Sequence, residues 1–426
     1  MVNNVLFQKL PKDWKIVKLR DIVDFKNGLN FSSHEKGKQG ILTVDVLNMY
    51  GKSIYVDTNK LYRVNKNIKK HYLLKNKDIL FVRSSLKEEG VGWASLFKDI
   101  NEPVSFCGFI IRARLKQKDI FPEYMINYLR SNMTRKRLIA NSGTVAITNI
   151  NQDMLGKLKI PLPPLHIQKK IAAVLDKADQ LRQKRKQAIE KLDQLLQSVF
   201  LDMFGDPVKN PKGWEVKKLE EAGNIRSGVT KGRKLEGKQT VEIPYMRVAN
   251  VQDGYLDLSE IKTIKVTVDD VEKYKLEYGD VLFTEGGDPD KLGRGTVWKD
   301  DVPPPCIHQN HIFRVRVDPD YLVPQYLSAL TGSALGKRYF FKSSKQTTGI
   351  ASINSRQLKG CPVLLPPISL QQKFNHWIDE INNEKTLLQK SKEQLDTLFN
   401  SLLQKAFRGE LTFNDSAFAE LEEATV

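Results

Sequence analysis

The stretch Pro161-Leu-Pro-Pro-Leu-His-Ile-Gln168-Lys-Lys-Ile171 returns 203 residues later as Leu364-Leu-Pro-Pro-Ile-Ser-Leu-Gln371-Gln-Lys-Phe374. The chain changes character across each copy. Before it runs a proline-ended β-type segment, Lys159–Pro164 or Pro362–Pro367; after it, from about Ile167 to Phe204 and from Leu370 to Phe407, there is neither Pro nor Gly. Apolar residues then recur every three or four positions: Ile171, Val174, Ala178, Leu181, Ala188, Leu192, Leu195 and Val199, and again Phe374, Trp377, Ile381, Leu388, Leu395, Leu398 and Leu402. That spacing predicts two long helices with a coiled-coil seam, interrupted by Arg185, Glu384 and Ser391. Ser369 with Gln372 fits a capping box at the second start. Gly205 and Gly409 stand where helix ends commonly carry glycine. About 38 residues at ~1.5 Å each give a rod of roughly 57 Å, more than a domain needs for its own core. The rods therefore connect rather than fill.

The repetition extends outward from the junction. Pro11-Lys-Asp-Trp14 returns as Pro211-Lys-Gly-Trp214, Asp78-Ile-Leu-Phe81 as Asp280-Val-Leu-Phe283, Arg112-Ala-Arg114 as Arg314-Val-Arg316, and Asp176 as Asp379, in the same order throughout. A period near 200 residues means duplicated domains rather than a solenoid. Short β-type runs punctuated by Gly, Asn and Ser, followed by helical patches at Tyr124–Ile139 and Tyr326–Phe340, predict an α+β class. The expected organisation is a first globular domain at 1–163, a spacer helix at 164–205, a second domain at 206–366, a second spacer helix at 367–410 and an acidic tail at 411–426. Two tandem units about a twofold axis would pack their helices as an antiparallel coiled coil; the alternative is that each helix pairs with another protein.

Charge narrows the partners. The net +18 is concentrated at the front: residues 1–163 carry 29 basic against 14 acidic side chains, or +15, whereas residues 211–366 carry 24 against 20, or +4. A surplus of that size on a globular unit points to a polyanion. Cys107, Cys306 and Cys361 are widely spaced and suit buried apolar positions in a reducing compartment. No run approaches a membrane span and no signal peptide is recognisable, so a soluble cytoplasmic protein is expected.

Several chemistries lack their residues. The Pro-Pro pairs follow Leu162, Val302 or Leu365 and precede no aromatic, unlike the Asn/Asp-Pro-Pro-aromatic motif of amino-methyltransferases. Gly332-Ser-Ala-Leu-Gly336-Lys337-Arg338 is one residue short of a phosphate loop and lacks its Ser/Thr. His308 and His311, three apart on a β-type run, face opposite sides, which disfavours a zinc site with Cys306. No catalytic residue, metal site or cofactor is expected in the chain itself.

The two junctions, the Pro-x-x-Trp openings, Asn149-Ile-Asn151 with Ile353-Asn354, and the helix ends Phe204-Gly-Asp206 and Ala406-Phe-Arg-Gly-Glu-Leu411 resemble the specificity subunits of type I restriction-modification systems. One departure is that Ile167 and Leu370 stand where that family often has Glu. The resemblance implies two target-recognition domains, each reading one half of a split double-stranded DNA sequence. It implies helices that act as a ruler and dock two methyltransferase subunits, with nuclease-translocase restriction subunits joining for cleavage. S-adenosylmethionine, ATP and magnesium would belong to those partners. The repeated Gln168, Asp176, Gln371 and Asp379 are candidate partner-binding residues.

For DNA contact, loops after β-type runs supply the candidates. In the first domain these are Lys36, Lys38, Arg83, Ser84, Ser85, Lys87, Thr144, Thr148 and Asn149. In the second they are Arg226, Ser227, Thr230, Lys231, Arg233, Lys234, Arg294, Lys345, Gln346, Thr347 and Thr348. Arg can bridge guanine and Asn or Gln adenine, while Lys, Ser and Thr serve phosphates. The competing readings are a DNA methylase or nuclease with an unfamiliar site, and a helical protein-interaction scaffold.

Overall fold

The runs without Pro or Gly fold as two helices, Leu165–Phe204 of 40 residues and Ile368–Arg408 of 41. The second begins one residue before Ser369, so that residue lies inside the first turn and is not its cap. The junction is instead held by Gln371, as shown below. The computed structural model describes residues 10–51, 53–85, 90–140, 148–287, 292–293, 295–347 and 350–413. The chain divides into two units, Met1–Gln187 with Gln389–Val426, and Ala188–Leu388. Each unit thus takes one globular domain, the first part of the helix that leaves it, and the last part of the other helix. Among the described residues no helix is long and apolar enough to cross a membrane.

In the first unit the main sheet has four antiparallel strands in the order Val23–Asn27, Ile110–Leu115, Ile79–Val82, Ala94–Leu96. A second sheet runs Lys36–Gly37, Tyr62–Val64, Ile41–Val44, Val104–Phe106, the last pair being parallel. The ribbon of Lys15–Lys18 with Lys159–Leu162 brings the start of the domain to its exit. Where one helical patch was expected there are two helices, Pro122–Arg130 and Asn132–Ala140, broken at Ser131, whose Oγ donates to the Tyr128 carbonyl at 2.7 Å.

The second unit repeats the plan. Its main sheet is ordered Gly223–Ser227, Ile312–Val317, Val281–Thr284, Gly295–Val297, and Glu215–Lys218 pairs with Pro362–Leu365. Its side sheet is Lys262–Thr267, Thr240–Met246, Ile307–His308. The segment resembling a phosphate loop is the break between helices Pro324–Gly332 and Ala334–Ser343, capped by Ser333. Gly336 lies against the Thr331 carbonyl, so its smallness serves packing.

The repeated Asp-x-x-Phe and Arg-x-Arg motifs are framework. Arg114 grips buried Asp78 through Nε and Nη2 at 2.7 and 2.6 Å, and Arg316 grips Asp280 in the same way at 2.8 and 2.9 Å. Each carboxylate also accepts a backbone N–H, from Lys75 or Glu277. A bidentate grip on a buried carboxylate of this kind ties the central strands together, and removing the arginine strands a buried charge.

Both helix ends complete a core. In the first unit Phe407 packs edge-on to Tyr124 and Tyr128, with ring centroids 5.5 and 5.1 Å apart. In the second, Phe204 packs on Tyr326 and Phe374 at 4.7 and 5.3 Å. The helical segments run antiparallel within each unit. Arg182 pairs with Asp396 while Ile171 and Phe407 share one core in the first; Asp193 pairs with Lys385 while Phe204 meets Phe374 in the second. The seam is shifted in places from its expected line: Ile378 is buried where Trp377 was expected, and Leu181, Leu195, Trp377 and Leu398 are exposed. Gly205 and Gly409 end the helices in the left-handed region, at φ 81° and 71°.

Phe407→Ala is expected to destabilise the first unit by about 3–5 kcal/mol, since it removes a fully buried ring. Hydrogen exchange of the Tyr124–Leu129 amides should accelerate, with the Tyr326–Leu330 amides unaffected. Asp280→Ala, which leaves Arg314 and Arg316 without their buried carboxylate, is expected to cost about 3–5 kcal/mol in denaturant unfolding.

Candidate nucleic-acid interface

Two of the proposed reading segments of the first unit meet in the structure. Ser84–Ser85 pairs antiparallel with Thr148–Asn149, and Ser84 Oγ donates to the Asn149 side-chain oxygen. Arg83 precedes this ribbon; its N–H donates to the Phe109 carbonyl at 2.7 Å and its carbonyl accepts from Ile150 at 2.9 Å. Phe109 is the tip of a tight turn, closed by Ile110 N–H on the Cys107 carbonyl at 3.0 Å.

From that turn the contacts run to the other candidates. Cys107 Sγ lies 3.4 Å from Asp45 Oδ1, and Asp45 Oδ2 lies 3.7 Å from Lys36 Nζ, which also sits 3.8 Å above the Tyr62 ring. Lys66 Nζ, 3.2 Å from the Asn30 carbonyl, joins the same group. Lys38 is exposed one residue beyond the Lys36–Gly37 strand. The whole depends on Gly28, where a Cβ would fall 2.0 Å from the Cys107 carbonyl oxygen; only glycine allows that approach.

The second unit builds the same hub. Ile312 N–H closes the turn on the Gln309 carbonyl at 2.9 Å, and Glu285, in the place of Arg83, donates its N–H to the His311 carbonyl at 2.9 Å. Gly228 takes the part of Gly28, its Cβ position 2.0 Å from the His308 carbonyl oxygen. Ser227 Oγ donates to the Asn310 carbonyl at 2.8 Å, tying one candidate directly to the turn. Gly286–Gly287 pairs with Ile350–Ser352, which pairs in turn with Lys345–Thr347, so the strand holding Lys345, Gln346 and Thr347 joins this ribbon.

Not every candidate is used as expected. Arg226 donates to the Lys273 carbonyl at 2.9 Å, and Arg233 is bound to Asp270, whose carboxylate also accepts from Thr267 at the start of the helix Val268–Tyr274. Each guanidinium is thereby anchored to its own domain through one nitrogen while its residue stays exposed. Thr230 and Lys231, between them, and Lys234, just after Arg233, are exposed. Lys87, Thr144, Arg294 and Thr348 lie outside the described residues.

The junction glutamines need correction. Gln168 and Gln371 are 2% and 0% exposed. Gln168 Nε2 donates to the Asp119 and Pro163 carbonyls at 3.1 and 2.9 Å while its Oε1 accepts from Phe121 N–H at 2.8 Å. Gln371 does the same with Tyr321, Pro366 and Val323. A buried amide so occupied has nothing to offer a partner; it sews helix to domain. Asp176 does face solvent, in a groove of about 960 Å³ with Ser53, Tyr55, Glu123, His166 and Lys169. Asp379, by contrast, meets Lys299 Nζ at 3.3 Å.

His308 and His311 fall on opposite sides of their strand and turn. His308 is fully buried, its Nδ1 3.0 Å from the Ile312 carbonyl, and burial pushes its pKa down to about 4. His311 is exposed and its Nδ1 meets Glu285 Oε2 at 2.5 Å. Sequence reasoning did not nominate the turn tips Phe109 and His311, which the structure places as candidates beside the ribbons. The signal that finds them is the alignment of the two copies, in which the framework Asp and Arg residues persist while 83/285 and 109/311 change chemistry.

The duplication of the domain is matched by comparisons with known proteins. The sequence profile described as Type I restriction modification DNA specificity domain matches residues 11–191 and again 211–397. The chain belongs to that family. Among its relatives, the type I restriction enzyme EcoKI specificity subunit of Escherichia coli (strain K12) is 25% identical over 426 residues, covering 95% of this chain and 90% of the relative. The StySPI specificity subunit of Salmonella potsdam is 27% identical over 376 residues, covering 84% and 80%. The fold is also that of solved chains. One, from work on assembly and conformational transition of the type I R-M system, has a TM-score of 0.58 at 18% identity, covering 95% of this chain and all of the other. The S subunit from M. genitalium has a TM-score of 0.53 at 15% identity, with 95% and 99% covered. The protein is accordingly a type I specificity subunit with two DNA specificity domains, a recognition component and not the catalytic one.

In this specificity subunit the buried imidazole makes an acid-sensitive point. The unfolded chain protonates His308 below about pH 6.5, the folded chain only below about 4, so this group's contribution to stability is lost as pH falls through that window. The loss is expected to approach about 3 kcal/mol, and His308→Gln should show a shallower decline of melting temperature between pH 6.5 and 4.5.

Proposed function

We propose that each globular domain reads one half of a bipartite double-stranded DNA target through the face built around its central turn, while the two helices set the spacing between the halves. The observation that carries this is the recurrence of one specificity domain with the same turn, ribbon and close-approach glycine, but with Arg83 and Phe109 exchanged for Glu285 and His311. A retained frame with altered exposed groups is what reading two different half-sites requires. Exposed Lys36, Lys38 and Lys231 would serve phosphates, and Ser84 and Asn149, joined on one ribbon, would meet base edges.

The helices would dock two methyltransferase subunits. Leu181, Leu195, Trp377 and Leu398 are large apolar side chains left exposed on them, a burden that a covering partner would relieve. The groove beside Asp176 is a further candidate contact. Restriction subunits would join for cleavage in the cytoplasm, and S-adenosylmethionine, ATP and magnesium would reside in the partners.

Expression with a methyltransferase partner, followed by methylome sequencing, is expected to return a two-part motif. Replacing residues 1–163 with the corresponding domain of another specificity subunit should change one part only. A continuous motif, or one indifferent to that replacement, overturns the reading.

A further inference from the structure

The pair of residues at each hub differs in a manner that specifies base chemistry. In the first unit Arg83 and the 60% exposed ring of Phe109 share the backbone hydrogen bond that closes the face. In the second unit the same bond joins Glu285 to His311, and their side chains are paired as well. The flanking framework is conserved between the copies: Asp78 with Asp280, Arg114 with Arg316, Gly28 with Gly228. Buried neighbours also differ, Val82 against Thr284 and Phe106 against His308, but at the surface of the hub the exchange includes Arg83 and Phe109 for Glu285 and His311.

We propose that these pairs are specificity-determining contacts: Arg83 with Phe109 selects a keto base, guanine or thymine, and Glu285 with His311 selects an amino base, adenine or cytosine. A guanidinium donates to O6 and N7 of guanine or O4 of thymine, and an exposed phenyl ring next to it suits the thymine methyl. A carboxylate only accepts, and in the major groove the exocyclic amines of adenine and cytosine are the donors. Near phosphates a bare carboxylate would be repelled; His311 Nδ1 against Glu285 Oε2 holds it in place and leaves Nε2 directed away from that contact. Neither Phe109 nor His311 is part of a buried core, so their chemistry is not explained by packing.

This inference rests on the two-domain reading and deepens it. Methylome sequencing of the full chain with its methyltransferase partner tests it through two variants. Arg83→Glu combined with Phe109→His, which carries the second unit's pair into the first, is expected to shift one base position in one half of the motif from keto to amino preference. Glu285→Gln, isosteric and compatible with the same fold, is expected to relax one position in the other half by roughly tenfold or more. Melting temperatures close to that of the unaltered protein establish that both variants are folded. Unchanged preference at every position in both variants overturns the assignment while leaving a bipartite motif intact. A continuous motif for the unaltered protein would instead remove the reading beneath it.

Discussion

Phe407 between Tyr124 and Tyr128, and Phe204 against Tyr326 and Phe374, close two cores that would otherwise each lack a wall. A ring of that size removed from water is worth a few kcal/mol, a large fraction of a domain's net stability. Each ring arrives on a helix that began in the other unit, so neither domain supplies its own final piece. Packing of each domain and docking of the helix end that completes it are therefore coupled within its own unit. The connecting tyrosines extend this coupling: Tyr124 and Tyr326 donate to the Pro161 and Leu364 carbonyls, on the strands that lead into the helices.

The helices and the duplication were legible because they obey short rules. A helix of 40 residues repeats its apolar spacing over many turns, and the absence of Pro and Gly bounds it. The seam itself was less so: Trp377 fits the spacing but faces out, and Ile378 takes the buried place, because one residue of rotation separates the two around the axis. Gln168 and Gln371 misled for a different reason. A polar residue repeated at a junction reads as a contact for a partner, yet its amide satisfies backbone groups that helix entry leaves open inside the domain. Only tertiary structure distinguishes the two.

The interface divides along the same line. Residues near one another in sequence, such as Ser84 and Ser85, could be nominated from loop chemistry; that they lie beside Thr148 and Asn149 needed the strand pairing. Arg226 and Arg233 were attractive as cations in a basic chain, but each finds an acceptor within its own unit. Charge counting cannot separate a guanidinium that waits for a phosphate from one that holds a helix start. Phe109 had no periodicity to announce it, since a turn tip belongs to no repeating pattern.

The two helix-terminal glycines have a topological meaning. In the second unit Gly205 abuts Pro211, six residues further along the same strand of chain; a Cβ there would lie 2.8 Å from the proline ring. In the first unit Gly409 abuts Pro11 in the same manner, at 2.3 Å, although hundreds of residues separate them in sequence. One corner is made by a covalent loop and its twin by packing alone. The contact does not depend on peptide continuity: the same glycine–proline corner forms across a short loop in one unit and between the distant ends of the described chain in the other.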